Sequence, residues 1–361
     1  MISSRNTKLF LLAFTVLSIV PLLVNLHLLS MFMEGEENNH SATSTTSTVS
    51  TRNVVKAPKS SNEPPPLDFA IIGFAKTGTT FLHDILANHS QVIMYKDEFW
   101  GDVNGLRQWL NTTTTRESST PPKRRGIKCP RIVKETQRLD QLLYNTSRVI
   151  VGVRHPVHWF ESLYNYRIWQ KHEKKRHRMK PTLKFLHNNR TDWLGLSTGA
   201  ARFDLYLKQL GKVPLTPHEV FNMKLVNKVY GVMGTTPYQK QHPMKVLLYS
   251  MEQLKEDGNA TRRRLAFQET LQHFLGLDTP FPQRDLASET KVNENNFQHD
   301  ENIDICEEQF RDIRNTLVWQ GRHASVWIRN KFMKSEDVIV SDVEFMNEVL
   351  ERWSVDPCDD K

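Results

Sequence analysis

Cysteine is scarce in this chain of 361 residues: three are present, Cys129, Cys306 and Cys358. There is no Cys-x-x-Cys pair and no His-Glu-x-x-His sequence, and the 14 histidines are scattered, so a resident metal has no support. No internal repeat is present, which leaves one large domain plus accessory segments as the expectation for this length. Charge is missing altogether from one stretch: no Asp, Glu, Lys or Arg lies between Lys8 and Glu34.

That uncharged stretch, 9–32, is long enough to cross a bilayer, which takes about 20 mostly apolar residues as a helix. Pro21, Asn25 and His27 interrupt it. No Ala-x-Ala-like cleavage site follows, which argues against a removed signal peptide. Arg5 and Lys8 precede the span, while Glu34, Glu36 and Glu37 follow it. The positive-inside bias then makes 1–8 a cytosolic tail, 9–32 a signal-anchor and the remainder lumenal. Residues 33–66 are rich in Ser, Thr, Asn and Pro and read as a stem, with 67–361 as the lumenal domain.

Within that domain, short apolar runs at Phe69–Ile72, Val92–Tyr95, Val149–Val153 and Lys245–Tyr249 alternate with helical patterns. Phe81, Leu82, Ile85 and Leu86 share one helix face, as do Trp159, Phe160, Leu163 and Tyr164. The alternation predicts an α/β fold, a P-loop-like central parallel sheet flanked by helices. The C-terminal region from Ile303 to Trp353 reads as mostly helical, with Trp319, Trp327 and Trp353 packing the domain's flank.

Two strand–turn–helix segments carry the chemistry. After the strand Phe69–Ile72 comes a tight loop containing Lys76, Thr77, Gly78, Thr79 and Thr80. Such a loop can aim backbone N–H groups, hydroxyls and one ammonium at an anion by the helix start. It departs from the NTPase loop, where Lys directly follows the second Gly; here Lys76 precedes Gly78 by two residues. The second segment, Arg148 to Pro156, puts Arg154 at the carboxyl end of a buried strand, and Ser162 follows on the next helix.

Together the two segments resemble the sulfotransferases that use 3′-phosphoadenylyl sulfate (PAPS). Lys76-Thr77-Gly78-Thr79-Thr80 looks like that family's 5′-phosphosulfate loop, and Arg154 with Ser162 like its 3′-phosphate site. The match is best with the membrane-bound Golgi branch, above all the heparan sulfate-type carbohydrate sulfotransferases. In that branch a catalytic Glu follows the loop Lys after a helix and a short strand, the place of Glu98 in Lys96-Asp97-Glu98-Phe99-Trp100. Lys128-Cys129-Pro130 resembles the branch's Lys-Thr/Ser-Pro element, with Cys in place of the hydroxyl residue. Val246 to Leu254 and Phe274 to Leu277 are similar to its late strand, Glu-x-x-Leu turn and helix end. Lys291-Val292-Asn293 matches its last donor segment only loosely.

The resemblance implies sulfonate transfer from PAPS, as co-substrate and without a metal, to a hydroxyl or amine of a glycan. Lys76 would stabilise the leaving phosphate, Glu98 would act as base, and Lys128 would sit by the sulfonate or orient Glu98. A single-pass type II protein of the Golgi membrane, with a lumenal catalytic domain, is the matching localisation. A tyrosyl-protein or lipid acceptor is the alternative. An ATP-dependent phosphotransferase would need a Mg²⁺-holding Asp after a strand, which is not evident, and a non-catalytic glycan-binding membrane protein would use the basic runs alone.

The formal charge is +8, concentrated at Lys123–Arg125 and Lys171–Lys180. In a lumenal protein such runs fit an anionic glycan or the donor, not nucleic acid. An odd cysteine count in an oxidising compartment gives one bridge and one thiol; Cys306–Cys358 is the favoured pair, with three thiols as the alternative. Six Asn-x-Ser/Thr sequons begin at Asn39, Asn88, Asn111, Asn145, Asn189 and Asn259. Asn111, ahead of a Thr112–Thr115 loop, is the best-placed acceptor, and Asn88 is expected to be too packed. A homo-oligomer is left open.

Overall fold

The computed structural model describes residues 67–99, 103–115, 123–129, 146–173, 201–220, 244–254, 260–281 and 302–359, all within the compact unit Asn62–Lys361. The expected anchor at 9–32, the stem, Asn39, Asn145, Asn189, Asn259 and Lys291–Asn293 lie outside the described residues. So do the side chains of the 171–180 run. Among the described residues no helix is long and apolar enough to cross a membrane.

Six strands, β1 (Phe69–Gly73), β2 (Val92–Glu98), β3 (Arg124–Cys129), β4 (Arg148–Val153), β5 (Lys245–Ser250) and β6 (Val338–Ile339), form one sheet. Their order is β2-β3-β1-β4-β5-β6 and every pairing is parallel. Parallel strands need crossovers, which here bring helices onto both faces. Alternate residues of a strand point to opposite faces. Phe69, Ile71, Ile150 and Leu247 meet α1 (Thr79–Ala87) and α5 (Ala260–Leu275) through Leu82, Phe267 and Leu271. Ala70, Ile72, Val149, Val151 and Val246 face the other layer, with Trp159 and Phe160 of α3 (Pro156–Glu173) and Leu317 and Ile328 of α6 (Arg311–Asn330). The apolar helix faces read from the sequence are therefore core.

All four predicted strands are present, joined by two that the apolar pattern did not mark. β3 opens with two arginines, and its Gly126 leaves room for the Phe69 ring of β1: a Cβ there would come within 2.1 Å of that ring. Asp68 accepts from the Arg125 backbone N–H at 2.8 Å and lies 3.5 Å from Arg125 Nε, which accommodates a basic strand start beside the centre of the sheet. β6 is two residues long and, among the described residues, pairs with β5 alone.

The C-terminal region is helical as expected, built from α6 and α7 (Val343–Arg352). Trp327 and Trp353 are buried, whereas Trp319 is 56 % exposed, its ring against His323, so it does not pack the flank. Cys306 and Cys358 form a disulfide and Cys129 stays a buried thiol. Beside the bridge, Arg314 donates to the carbonyls of Ile305 and Glu307 and pairs with Asp356, each at 2.8 Å. Two sequon expectations change. Asn88 caps the exposed end of α1 instead of being packed away. Asn111 is exposed on α2 (Val103–Thr115), a helix that continues through the threonines expected to form a loop. Thr112 and Thr113 donate their hydroxyls back to the Trp109 carbonyl within the helix.

Candidate active site

The sheet's strand order reverses at β1 and β4, which lie side by side. The chain leaves β1 toward β2, and leaves β4 toward β5. A crevice outside the carboxyl ends of two such strands is where open α/β sheets take ligands. Gly73 and Gly152 are paired at the tips of these strands.

The loop from β1 to α1 is held from behind by four side chains. Thr77 Oγ1 donates to the Phe74 carbonyl at 2.7 Å, and Trp159 Nε1 to the Ala75 carbonyl at 2.8 Å. Arg154 Nη1 donates to the Lys76 carbonyl at 3.3 Å, and the Tyr249 hydroxyl to the Thr77 carbonyl at 2.8 Å. Four consecutive carbonyls are thus turned toward protein donors. Among the described residues the backbone N–H groups of Lys76, Gly78, Thr79 and Thr80 make no hydrogen bond. The N-cap of α1 is Gly78 at φ 84°, which has no side chain to offer. Uncapped N–H groups at a helix start form a site for an anion.

The conformation is demanding. Lys76 has φ 68°, a left-handed setting that costs a non-glycine residue of order 1–3 kcal/mol and concentrates at functional sites. Gly152 has no side chain because a Cβ would sit 2.4 Å from the Tyr249 ring and 2.9 Å from the Thr77 carbonyl. Gly78 is pressed by Leu254 in the same way, at 2.6 Å from a Cβ. The Met251–Leu254 turn after β5 is thereby a support for the loop.

Two cations meet here. Burial, and secondarily Arg154, bring the Lys76 ammonium down to a pKa of about 8. Burial also lowers Arg154, opposed by the nearby carboxylates Glu252 and Glu161. An anion between them would relieve both the desolvation and the mutual repulsion. Ser162 lies half-buried in the second turn of α3, the helix that Arg154 precedes.

The third group forms at the tips of β2 and β3. Lys128 Nζ is 3.0 Å from Glu98 Oε1 and donates to Thr80 Oγ1 at 3.1 Å. An irregularity in the β2–β3 register between Met94 and Glu98 places Glu98 opposite Lys128. The carboxylate is partly open to solvent while the ammonium is buried. Cys129 donates its thiol to the Phe99 carbonyl at 3.1 Å.

The structure therefore brings Lys76, Gly78, Thr79 and Arg154 to one crevice and links Thr80, Lys128 and Glu98 beside it. Thr77 differs from its expected part. It is fully buried and its hydroxyl is given to Phe74, so it shapes the loop from within. Trp159 was read as core alone, and Tyr249 as part of a late strand; both also hold loop carbonyls. Their signal was in the sequence only as polar atoms on buried aromatics, which require partners. Among the described residues no cluster of His, Cys, Asp and Glu is set to hold a metal.

No protein-family model and no curated protein matches the chain. Among solved structures it is similar to the crystal structure of a sulfotransferase from Alicyclobacillus acidocaldarius, 13 % identical, covering 72 % of this chain and 95 % of that one. The TM-score is 0.38, too low to identify a family, so the functional reading rests on the crevice itself.

Proposed function

We propose that this protein transfers a sulfonate group from PAPS to a hydroxyl or amine of a glycan. The observation that carries the reading is the pair of cations, Lys76 and Arg154, on adjacent strand tips, joined through the Lys76 carbonyl. One loop with free N–H groups suits a phosphosulfate, and a buried Arg followed by Ser162 suits a second phosphate on the same nucleotide.

In this reading Glu98 takes the acceptor's proton as the acceptor oxygen or nitrogen bonds to sulfur. The bond from sulfur to the bridging phosphate oxygen breaks, and Lys76 neutralises the charge left on that phosphate. Lys128, between Glu98 and Thr80, holds the base and faces the sulfonate. The uncharged 9–32 span, the charge bias around it and the Asn-x-Ser/Thr sequons support a lumenal domain of a Golgi type II protein.

The test is to incubate the 67–361 domain with labelled PAPS and a panel of polysaccharides, alongside Lys76→Ala. Label entering a glycan with wild type, and PAPS binding weakened in the folded variant, are expected. Unchanged PAPS affinity in Lys76→Ala rejects the reading.

A further inference from the structure

The Lys76 ammonium does not stand alone in the crevice: it lies over the ring of Tyr166, 4.6 Å from the centroid. Tyr166 is half-buried on α3, one turn beyond Ser162. A ring face at that distance attracts a cation, and more so where water is excluded. The ring is itself held. Gln170 Nε2 donates to the Tyr166 hydroxyl at 2.8 Å, and Gln170 Oε1 accepts from Arg167 Nη1 at 2.8 Å. Gln170 is buried, and Trp169 stacks on Tyr166 with centroids 5.6 Å apart.

We propose that Tyr166 is a positioning residue for Lys76, whose ring carries the loop ammonium in the donor-free protein and releases it to the incoming anion. The proposal deepens the reading above and rests on Lys76 being the loop cation of the donor site. The left-handed backbone at Lys76 fixes where its side chain starts. The ring fixes where it ends. Both ends of a long, rotamer-rich side chain are then set before the donor arrives, which reduces the ordering that binding would otherwise require.

The ring also bears on charge. Arg154, at the end of β4, is the charged neighbour acting on Lys76, and it disfavours the ammonium, as burial does. Glu161 on α3 and Glu252 after β5 act on Arg154. The Tyr166 ring favours the ammonium against burial and Arg154.

The experiment follows the titration of Lys76 without any donor, by isotopic methylation of the lysines and NMR of the methylated Lys76 amine, assigned with Lys76→Ala. Replacing the ring by Tyr166→Leu is expected to lower the midpoint by roughly half a pH unit to one and a half. Tyr166→Phe keeps the ring face and should titrate like wild type. Tyr166→Trp offers a stronger face and should titrate higher, so the test survives if the Leu variant does not fold. A midpoint unmoved in folded Tyr166→Leu, lowered by Tyr166→Phe as much as by Leu, or unmoved by Tyr166→Trp overturns the proposal. Failure of the sulfotransferase reading would appear separately, as wild-type protein that binds neither PAPS nor adenosine 3′,5′-bisphosphate.

Discussion

Lys128 Nζ stands 3.0 Å from Glu98 Oε1, on the neighbouring strand, with its other contact on Thr80 at the start of α1. The base candidate is therefore tied through one ammonium to the start of α1. Glu98→Gln should bind PAPS normally and transfer sulfonate about 10²–10⁴-fold more slowly. Lys128→Met should lower kcat as well, and the double variant should lose less than the two separate losses combined, because the pair acts as a unit. Wild-type turnover in Glu98→Gln removes the base assignment.

Tyr249 reaches across Gly152 to the carbonyl of Thr77, which is fully buried. Tyr249→Phe leaves that carbonyl without its donor, at a cost of about 1–3 kcal/mol. The expected outcome is a lower melting temperature together with weaker binding of adenosine 3′,5′-bisphosphate by calorimetry. Lost stability with undiminished nucleotide affinity would confine Tyr249 to a core role.

The Cys306–Cys358 bridge closes a loop of sequence separation 52. On the chain-entropy model this contributes about 4 kcal/mol, by restricting the unfolded chain. Cys306→Ser should lower the midpoint of chemical denaturation accordingly. Arg314, which binds Ile305, Glu307 and Asp356, should keep the two segments together in the folded variant.

His155 is held neutral ahead of α3. Its Nδ1 accepts from the Val157 N–H at 3.3 Å, and its Nε2 donates to the Arg352 carbonyl at 3.1 Å. Burial lowers its pKa below 6.5, partly offset by the Arg352 carbonyl and by Glu252. The folded state then resists a proton that the unfolded chain accepts. Its contribution is complete above about pH 6.5 and falls as the pH drops below that, at up to about 1.4 kcal/mol per unit. Melting temperatures measured from pH 7.5 to 5 should decline, and His155→Asn should flatten the decline. An equal slope in the variant removes His155 as its source.

The central strands and the turns that carry Lys76 and Arg154 were legible because their apolar runs end in Gly, Lys or Arg. β3 was not, since Arg124, Arg125 and Lys128 leave Gly126 and Ile127 as a thin apolar signal; its burial comes from a neighbour's ring and a neighbour's carboxylate. Glu98 could be placed by motif, whereas its partner distance to Lys128 depends on an irregular register that no local pattern encodes. The hands that hold the loop, Trp159 and Tyr249, come from 84 and 172 residues away. Tyr166 escaped notice for the same reason: a ring on a helix reads as packing until the loop lysine is laid over it.

Phe69 and Gly126 show how such long-range fits bind the future of a sequence. Because the aromatic ring occupies the space where a neighbouring β-carbon would grow, neither position can vary alone. Enlarging residue 126 requires shrinking residue 69, and shrinking 69 first opens a hole in the middle of the sheet. In related chains the two sites should change as a couple.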